Sequence, residues 1–233
     1  MCKLSHRSEH LAVYDDVLPE AEFKQLFGYL NGIDYYSVHA LGRKKVWRLH
    51  DGNPLRSRAG WYYVANTAPT DKLLFPTDTP IDHLVQWIVD RTDELDWLIG
   101  KAAAQWHRFS FAPYIYPAGS GLSLHRDGNN MYSGAFTYFA HPDWRLHWGG
   151  HLMVLDEPLA PPPMQPTGSV SPPFLSDDPP EITLDPGFAY TVFAKPNRIA
   201  FLSPTCRHVM TRVDSNAGQN ARISVAGFFH IQG

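Results

Sequence analysis

Cysteine is scarce in this sequence, which has only Cys2 and Cys206 among 233 residues. One lies beside the N-terminus and the other in an apolar run, so their positions do not indicate a disulfide framework and we expect reduced thiols. A basic surplus is also missing, because 20 Lys and Arg stand against 23 Asp and Glu, for a formal charge of −3. Such a chain has little with which to neutralise a phosphate backbone, so nucleic acid is not an expected partner.

Long apolar runs are absent as well. No stretch approaches the roughly 20 apolar residues that span a bilayer, and residues 1–7 lack the apolar segment of a signal peptide. We therefore expect no membrane association and a cytoplasmic protein. There is no internal repeat, and the length favours one domain, 1–233, in which residues 1–108 support a core formed by 109–233. The oligomeric state is left open.

The first half of the chain contains helical patterns and short β-rich runs. A helix is expected from Glu20 to the Asn31-Gly32 stop, because its apolar residues recur at helical spacing: Phe23, Leu26, Phe27 and Leu30. The same periodicity over 79–104 predicts either one long helix or two short ones. Runs rich in aromatic and β-branched residues predict strands at 45–49 and 61–64.

From Phe109 onward, short aromatic and β-branched runs alternate with turn residues, which is typical of an antiparallel sandwich or barrel. The fold class is therefore mainly β with flanking helices (α+β). One segment interrupts the pattern, because 157–180 holds nine prolines and no apolar periodicity. We interpret 157–180 as a long surface loop, either a simple insertion or a cover over a site.

A His-x-Asp pair, His125 and Asp127, ends a strand-like run. Side chains two apart on a strand point the same way, so an imidazole and a carboxylate could meet on one ion. The composition alone makes one such pair expected by chance, and a second does occur at His141-Pro142-Asp143. The central proline of the second pair suits a turn between strands, so we interpret it as structural.

A third ligand and an anion site are candidates further along. His208 follows an apolar strand and would complete a set of two histidines and one carboxylate, which leaves positions open on a metal. Arg222 lies beyond a turn-rich segment. A hairpin with Val213 opposite Ala221 would put Arg222 and Ser224 on the same face as His208. An arginine that faces into a barrel needs an anion, and a dicarboxylate would supply one.

At these residues the sequence resembles the prolyl-hydroxylase-like branch of the iron(II)/2-oxoglutarate oxygenases, over about 109–230. Four blocks in the family's order carry the resemblance: Tyr116-x-x-Gly119-x-x-Leu122-x-x-His125-x-Asp127; Phe136-Thr137-Tyr138-Phe139 leading to Trp144; Trp148-Gly149-Gly150-His151-Leu152; and His208-Val209 with Arg222-Ile223-Ser224-Val225. The resemblance implies a double-stranded β-helix, or jelly roll, as the core.

The resemblance also implies the roles of individual residues. His125, Asp127 and His208 would bind Fe(II), and Arg222 would bind the distal carboxylate of 2-oxoglutarate. Further contacts to this co-substrate are implied for Ser224, Tyr138 and Tyr116, although Tyr138 could equally be an ordinary core residue. Gly149-Gly150 resembles a tight turn into a core strand, and His151 stands where the family often has an acidic residue.

The implied activity consumes O2 and 2-oxoglutarate, forms succinate and CO2, and hydroxylates a C–H bond. Asp127 favours hydroxylation, since halogenating relatives lack the carboxylate ligand. A small molecule such as an amino acid or a biosynthetic intermediate is the expected substrate, and a protein or peptide is the alternative. A catalytically inactive jelly-roll binding protein is a remoter alternative.

Residues beside the motifs could contact the substrate or serve only in packing: Asn129, Asn130, Trp148 and His151.

Overall fold

The computed structural model describes residues 2–40, 47, 49–65, 72–127, 131–155 and 188–231. The proline-rich loop expected at 157–180 lies outside the described residues, as do Asn129 and Asn130. Within this part of the chain, fourteen strands, numbered in chain order, form two sheets.

The larger sheet has ten strands and carries most of the core. Its central order is β1-β2-β12-β9-β14-β7-β4-β3, and β5 pairs with both β7 and β6. Every pair is antiparallel except β5 with β6. The strands are β1 (Lys3–Arg7), β2 (Leu11–Asp15), β3 (Tyr36–Ser37), β4 (Leu55–Arg56), β5 (Gly60–Tyr63), β6 (Leu73–Leu74), β7 (Arg108–Tyr116), β9 (Tyr132–Phe139), β12 (Arg198–Leu202) and β14 (Arg222–His230).

The smaller sheet lies over one face of the larger one. Its antiparallel order is β11-β10-β13-β8. The strands are β8 (Leu122–His125), β10 (Leu152–Leu155), β11 (Ala189–Val192) and β13 (His208–Met210). Two antiparallel sheets in this arrangement form the jelly roll that the resemblance implied.

Three helices in the described residues pack on the other face of the larger sheet: α1 (Glu20–Gly32), α2 (Ile81–Val89) and α3 (Asp96–Ile99). The prediction of α1 is confirmed, and the periodicity over 79–104 corresponds to two helices, not one. Each buries an apolar stripe, as α2 does with Leu84, Val85 and Ile88. None of these helices combines the length and the apolarity needed to cross a bilayer.

Strand alternation divides the apolar residues into two cores. On β14, Ile223, Val225 and Phe229 pack toward the helices, whereas Arg222 and Ser224 face the smaller sheet. The neighbouring strands alternate in the same way. The face of the larger sheet that contacts the helices is therefore apolar and aromatic, and the face that contacts the smaller sheet contains the cavity.

Two expectations from the sequence were wrong. The segment before Arg222 does not form a hairpin with β14: β13 pairs with β8 and β10, whereas β14 pairs with β7 and β9. In a jelly roll the chain crosses from one sheet to the other at this point, and the local turn residues do not indicate such a crossing. The strand expected at 45–49 does not form at its described residues, since Trp47 is irregular and Leu49 starts a 3-10 turn.

Candidate metal centre and co-substrate pocket

Two imidazoles meet across the smaller sheet. His125 ends β8 and His208 begins β13, and these two residues are direct partners in the antiparallel register. Their ring centroids lie 4.2 Å apart. Asp127 follows two residues after His125, and its carboxylate oxygens lie 3.6 Å from His125 Nε2 and 3.5 Å from His208 Nε2. The three donor atoms thus converge as one metal ion would require.

A chain of hydrogen bonds holds His125 in this orientation. Its Nδ1 lies 2.7 Å from the Ser123 carbonyl oxygen, so Nδ1 carries the proton and donates it to that carbonyl. Ser123 donates in turn to the buried Asp51 carboxylate, from its backbone N–H at 2.9 Å and from its hydroxyl. This arrangement leaves the Nε2 lone pair of His125 directed at Asp127 and free to bind a metal.

His208 is buried at the end of the cavity. Burial and the neighbouring His125 lower its pKa and Asp127 acts in the opposite direction, and the net result is a pKa of about 4. The imidazole is therefore neutral near pH 7, which is the form that binds metals. The buried Nδ1 of His208 makes no hydrogen bond of good geometry among the described residues. The backbone at Cys206 lies close enough to the ring to raise the pKa of His208.

The second His-x-Asp pair has a structural role, as its central proline predicted. His141 is buried, and its two ring nitrogens lie 2.8 Å from the Ala194 carbonyl oxygen and 3.3 Å from that of Ile223. Asp143 is exposed and lies outside the group of residues that could hold a metal. Both ring nitrogens of His141 are thus directed at the backbone.

Arg222 lies fully buried in the same cavity as the three metal-ligand candidates. Its guanidinium carbon is 4.5 Å from the ring centroid of Tyr116 and 5.0 Å from that of Phe139. None of its three side-chain nitrogens forms a hydrogen bond of good geometry within the described residues. The Tyr116 hydroxyl lies near enough to raise the pKa of the guanidinium, but burial prevails and lowers it to about 10. A guanidinium is thus buried, and no carboxylate pairs with it among the described residues.

Glycine backbone makes room for this arginine. Gly149 and Gly150 both adopt positive φ, of 65° and 66°, in the tight turn before β10. A Cβ on Gly150 would lie 2.8 Å from Arg222 Cδ, closer than carbon atoms can approach. The Gly149-Gly150 turn therefore fixes one wall of the arginine pocket.

The cavity has a volume of about 430 Å³, ample for 2-oxoglutarate together with part of a second molecule. Its lining also includes Ser224 on β14 and Thr137 on β9. Ser224 and Tyr116, which the resemblance linked to the co-substrate, both line this cavity. Thr137 was missed, although its position between the inward-facing Ala135 and Phe139 on β9 could have indicated it.

Three other candidates do not line the cavity. Tyr138 points to the helix side of β9, where its hydroxyl donates to Asn197 Oδ1 at 2.8 Å. The ring nitrogens of His151 bond to backbone: Nε2 donates to Leu146 O at 2.8 Å, and Nδ1 accepts from Ala194 N at 3.2 Å. Trp148 packs edge-on against Trp144 in the sheet-side core. These three are corrections to the expected site.

The described residues thus form a jelly roll whose cavity presents two histidines, one carboxylate and a buried arginine. No family model and no curated protein matches the sequence, but solved structures match the fold.

Three such structures cover nearly the whole chain. A prolyl-4-hydroxylase from Pseudomonas putida matches 96% of this chain and 94% of its own, with 13% identity and a TM-score of 0.56. A prolyl hydroxylase from Trichoplax adhaerens, in complex with a peptide fragment of the hypoxia inducible factor oxygen degradation domain, matches 96% and 84%, with 11% identity and a TM-score of 0.56. The non-heme alpha-ketoglutarate-dependent epimerase SnoN from nogalamycin biosynthesis matches 96% and 79%, with 13% identity and a TM-score of 0.57. The jelly-roll fold that the resemblance implied is confirmed.

Proposed function

We propose that the protein is an iron(II)- and 2-oxoglutarate-dependent dioxygenase that hydroxylates an unactivated C–H bond of a small molecule, with succinate and CO2 as co-products. The whole chain, 1–233, would be one oxygenase domain. The observation that carries the proposal is the pairing of two sites in one cavity: a His125-Asp127-His208 cluster that suits Fe(II), and a buried Arg222 whose nitrogens form no hydrogen bond of good geometry within the described residues.

The donor set fits iron(II). Two imidazoles and one carboxylate would supply three ligands, and the cavity leaves space for a co-substrate and oxygen. Iron bound there would supply the oxygen-activating chemistry. His125, Asp127 and His208 would hold the metal against the larger sheet, and the hydrogen bond from His125 to the Ser123 carbonyl would keep Nε2 directed at it.

The arginine pocket fits 2-oxoglutarate. The guanidinium of Arg222 would pair with the distal carboxylate in a two-bond fork, and Ser224, two residues along β14, offers a hydroxyl donor in the same cavity. Tyr116 and Phe139 exclude water from the pair, which strengthens it. The opposite, proximal end of the co-substrate would then point along the cavity toward the histidines.

A small-molecule substrate is favoured by the shape and lining of the cavity. The space beyond the co-substrate is apolar and aromatic, with Met131, Tyr132 and Phe228 at its outer end. A peptidyl substrate is the alternative, and the Trichoplax adhaerens structure with its bound peptide is the observation in its favour.

The proposal is tested first by binding under argon. Iron(II) is added to the purified protein, followed by 2-oxoglutarate, and the visible charge-transfer band of the ternary complex is measured. Wild type should show the band, Asp127→Ala should abolish it, and Asp143→Ala, from the second His-x-Asp pair, should retain it. Succinate formation in air, with amino acids and peptides added separately, then tests turnover. A wild-type protein that binds iron but shows neither band nor succinate would contradict the proposal.

A further inference from the structure

The inference concerns the substrate and rests on the proposed function. The register of the larger sheet places a group of basic and aromatic side chains on the same face as the cavity. Arg108 pairs with His230 across β7 and β14, and Ser110 pairs with the cavity residue Phe228. On the next strand, Trp61 and Tyr63 pair with Ser110 and Arg108. The cavity face thus continues past Phe228 into a cluster of Trp61, Tyr63, Lys72, Arg108 and His230, here called the rim cluster.

A continuous line of rings joins the cavity to the rim cluster. Tyr132, which lines the cavity, stacks on Phe228 with centroids 4.7 Å apart and contacts His230 edge-on at 4.9 Å. His230 contacts Trp61 at 4.9 Å. From the cavity residue Ala226 to His230, the strand advances by about 13 Å. A long, apolar molecule could therefore lie along these rings with one end near the metal-ligand cluster.

The outer end of this path is positively charged. Lys72 Nζ lies 4.3 Å from the Trp61 ring centroid, and the Arg108 guanidinium carbon lies 6.0 Å from the rings of both Trp61 and Tyr63. Neither cation forms an ion pair among the described residues, and the buried Nε of Arg108 has no hydrogen-bond partner there. Burial, Arg108 and Lys72 together lower the pKa of His230 to about 4. Two cations therefore lie around a neutral imidazole, and no carboxylate of the described residues pairs with either cation.

We infer that the rim cluster binds a terminal anionic group of the substrate, so that the enzyme acts on an elongated apolar molecule that ends in a carboxylate or a phosphate. The two cations and the free Arg108 Nε–H would pair with the anion. The aromatic surface from Trp61 to Phe228 would hold the apolar body, and the far end would reach the metal-ligand cluster.

The test uses three probes of equal length: phenylhexanoate, phenylhexyl phosphate and phenylhexanol. Binding to the full-length protein is measured by calorimetry at low and high salt, with iron(II) and 2-oxoglutarate under argon and again without them. At least one anionic probe should bind about tenfold or more tightly than the alcohol, and salt should reduce that preference. Whether the carboxylate or the phosphate binds more tightly identifies the anion.

Variants locate the anion. Arg108→Gln and Lys72→Gln should each remove most of the preference over the alcohol, and the partly exposed Lys72 provides a second variant if Arg108→Gln folds poorly. Arg7→Gln is a matched control, since Arg7 also lies over a tryptophan, Trp97 at 4.2 Å, but on another surface. Arg126→Gln tests the cation that lines the cavity itself.

Equal binding of the alcohol and the anions, binding of none of the probes, or loss of the preference only in Arg126→Gln would overturn the inference. These results are distinguishable from failure of the proposed function. Iron and 2-oxoglutarate binding, measured by the charge-transfer band, does not depend on the probes. An anion preference without that band would leave the rim cluster in place and contradict the oxygenase proposal instead.

Discussion

Arg222 and Tyr116 are direct partners across β14 and β7, and the tyrosine ring covers one side of the guanidinium at 4.5 Å. Phe139 lies beside the same group at 5.0 Å. The cation is therefore positioned by two aromatic faces and not by carboxylates. The guanidinium lines the cavity, and its nitrogens form no hydrogen bond of good geometry within the described residues.

Replacing Arg222 should affect stability and binding in opposite directions. In the absence of co-substrate, Arg222→Met should stabilise the protein by on the order of 1–2 kcal/mol, because a buried cation without an anion is costly. The same change should remove 2-oxoglutarate binding. Chemical denaturation without ligand, followed by titration of 2-oxoglutarate, measures both effects. A less stable Arg222→Met protein would indicate that the arginine already has a compensating partner.

Gly150→Ala should disturb the arginine pocket selectively. A methyl group there would lie 2.8 Å from Arg222 Cδ, so the arginine must shift. Gly218→Ala is the matched control, since Gly218 has a similar φ of 61° but open space around its Cβ. Both variants should lose about 1 kcal/mol from backbone strain. Only Gly150→Ala should also weaken 2-oxoglutarate binding, and equal binding by the two variants would contradict the pocket geometry.

Asp51→Asn should weaken metal binding without touching a ligand. The Asp51 carboxylate accepts two hydrogen bonds from Ser123, whose carbonyl holds His125. Loss of the charge should loosen this support and lower the affinity for Mn(II), used as a redox-stable substitute, by about 10-fold. Asp93→Asn, at an exposed position, is the control. Calorimetry with Mn(II) gives the affinities, and unchanged binding in Asp51→Asn would show that Ser123 needs no support.

His141 should make folding sensitive to acid. Burial lowers its pKa to about 4, against an ordinary value of 6.5 in the unfolded chain. Between these values the unfolded state binds more protons, so stability falls as pH drops from 6.5 and levels off below about 4. His141→Phe should make this decline shallower, by at most about 3 kcal/mol over the range. Denaturation at several pH values, with exposed His147→Phe as control, measures it. An unchanged slope in His141→Phe would exclude this role.

The sequence was informative wherever a pattern is local. The helical spacing of Phe23, Leu26 and Leu30 identified α1. The His-x-Asp pair identified two of the converging side chains, because residues two apart stay neighbours even though Asp127 lies just beyond the end of β8.

Strand pairings between residues far apart in the sequence could not be predicted from local patterns. The contact between His125 and His208 arises from β8 pairing with β13, which turn residues beside His208 do not specify. The inward face of β9 was ambiguous for a different reason. Both of its faces are buried, so Phe136 and Tyr138 look no different in sequence from Ala135 and Phe139. Tyr138 was therefore assigned to the wrong side.

The alternation along β14 also constrains how this protein can diverge. Substitutions at Ser224, Ala226 or Phe228 would alter which molecules fit, while Val225 and Phe229 would continue to anchor the helices. Insertion or loss of one residue within the strand would turn the cavity residues toward the helices and the core residues toward the cavity, which would disrupt both the site and the packing. New specificities in a lineage of such proteins should therefore accumulate as replacements at every second position of a strand whose length stays constant.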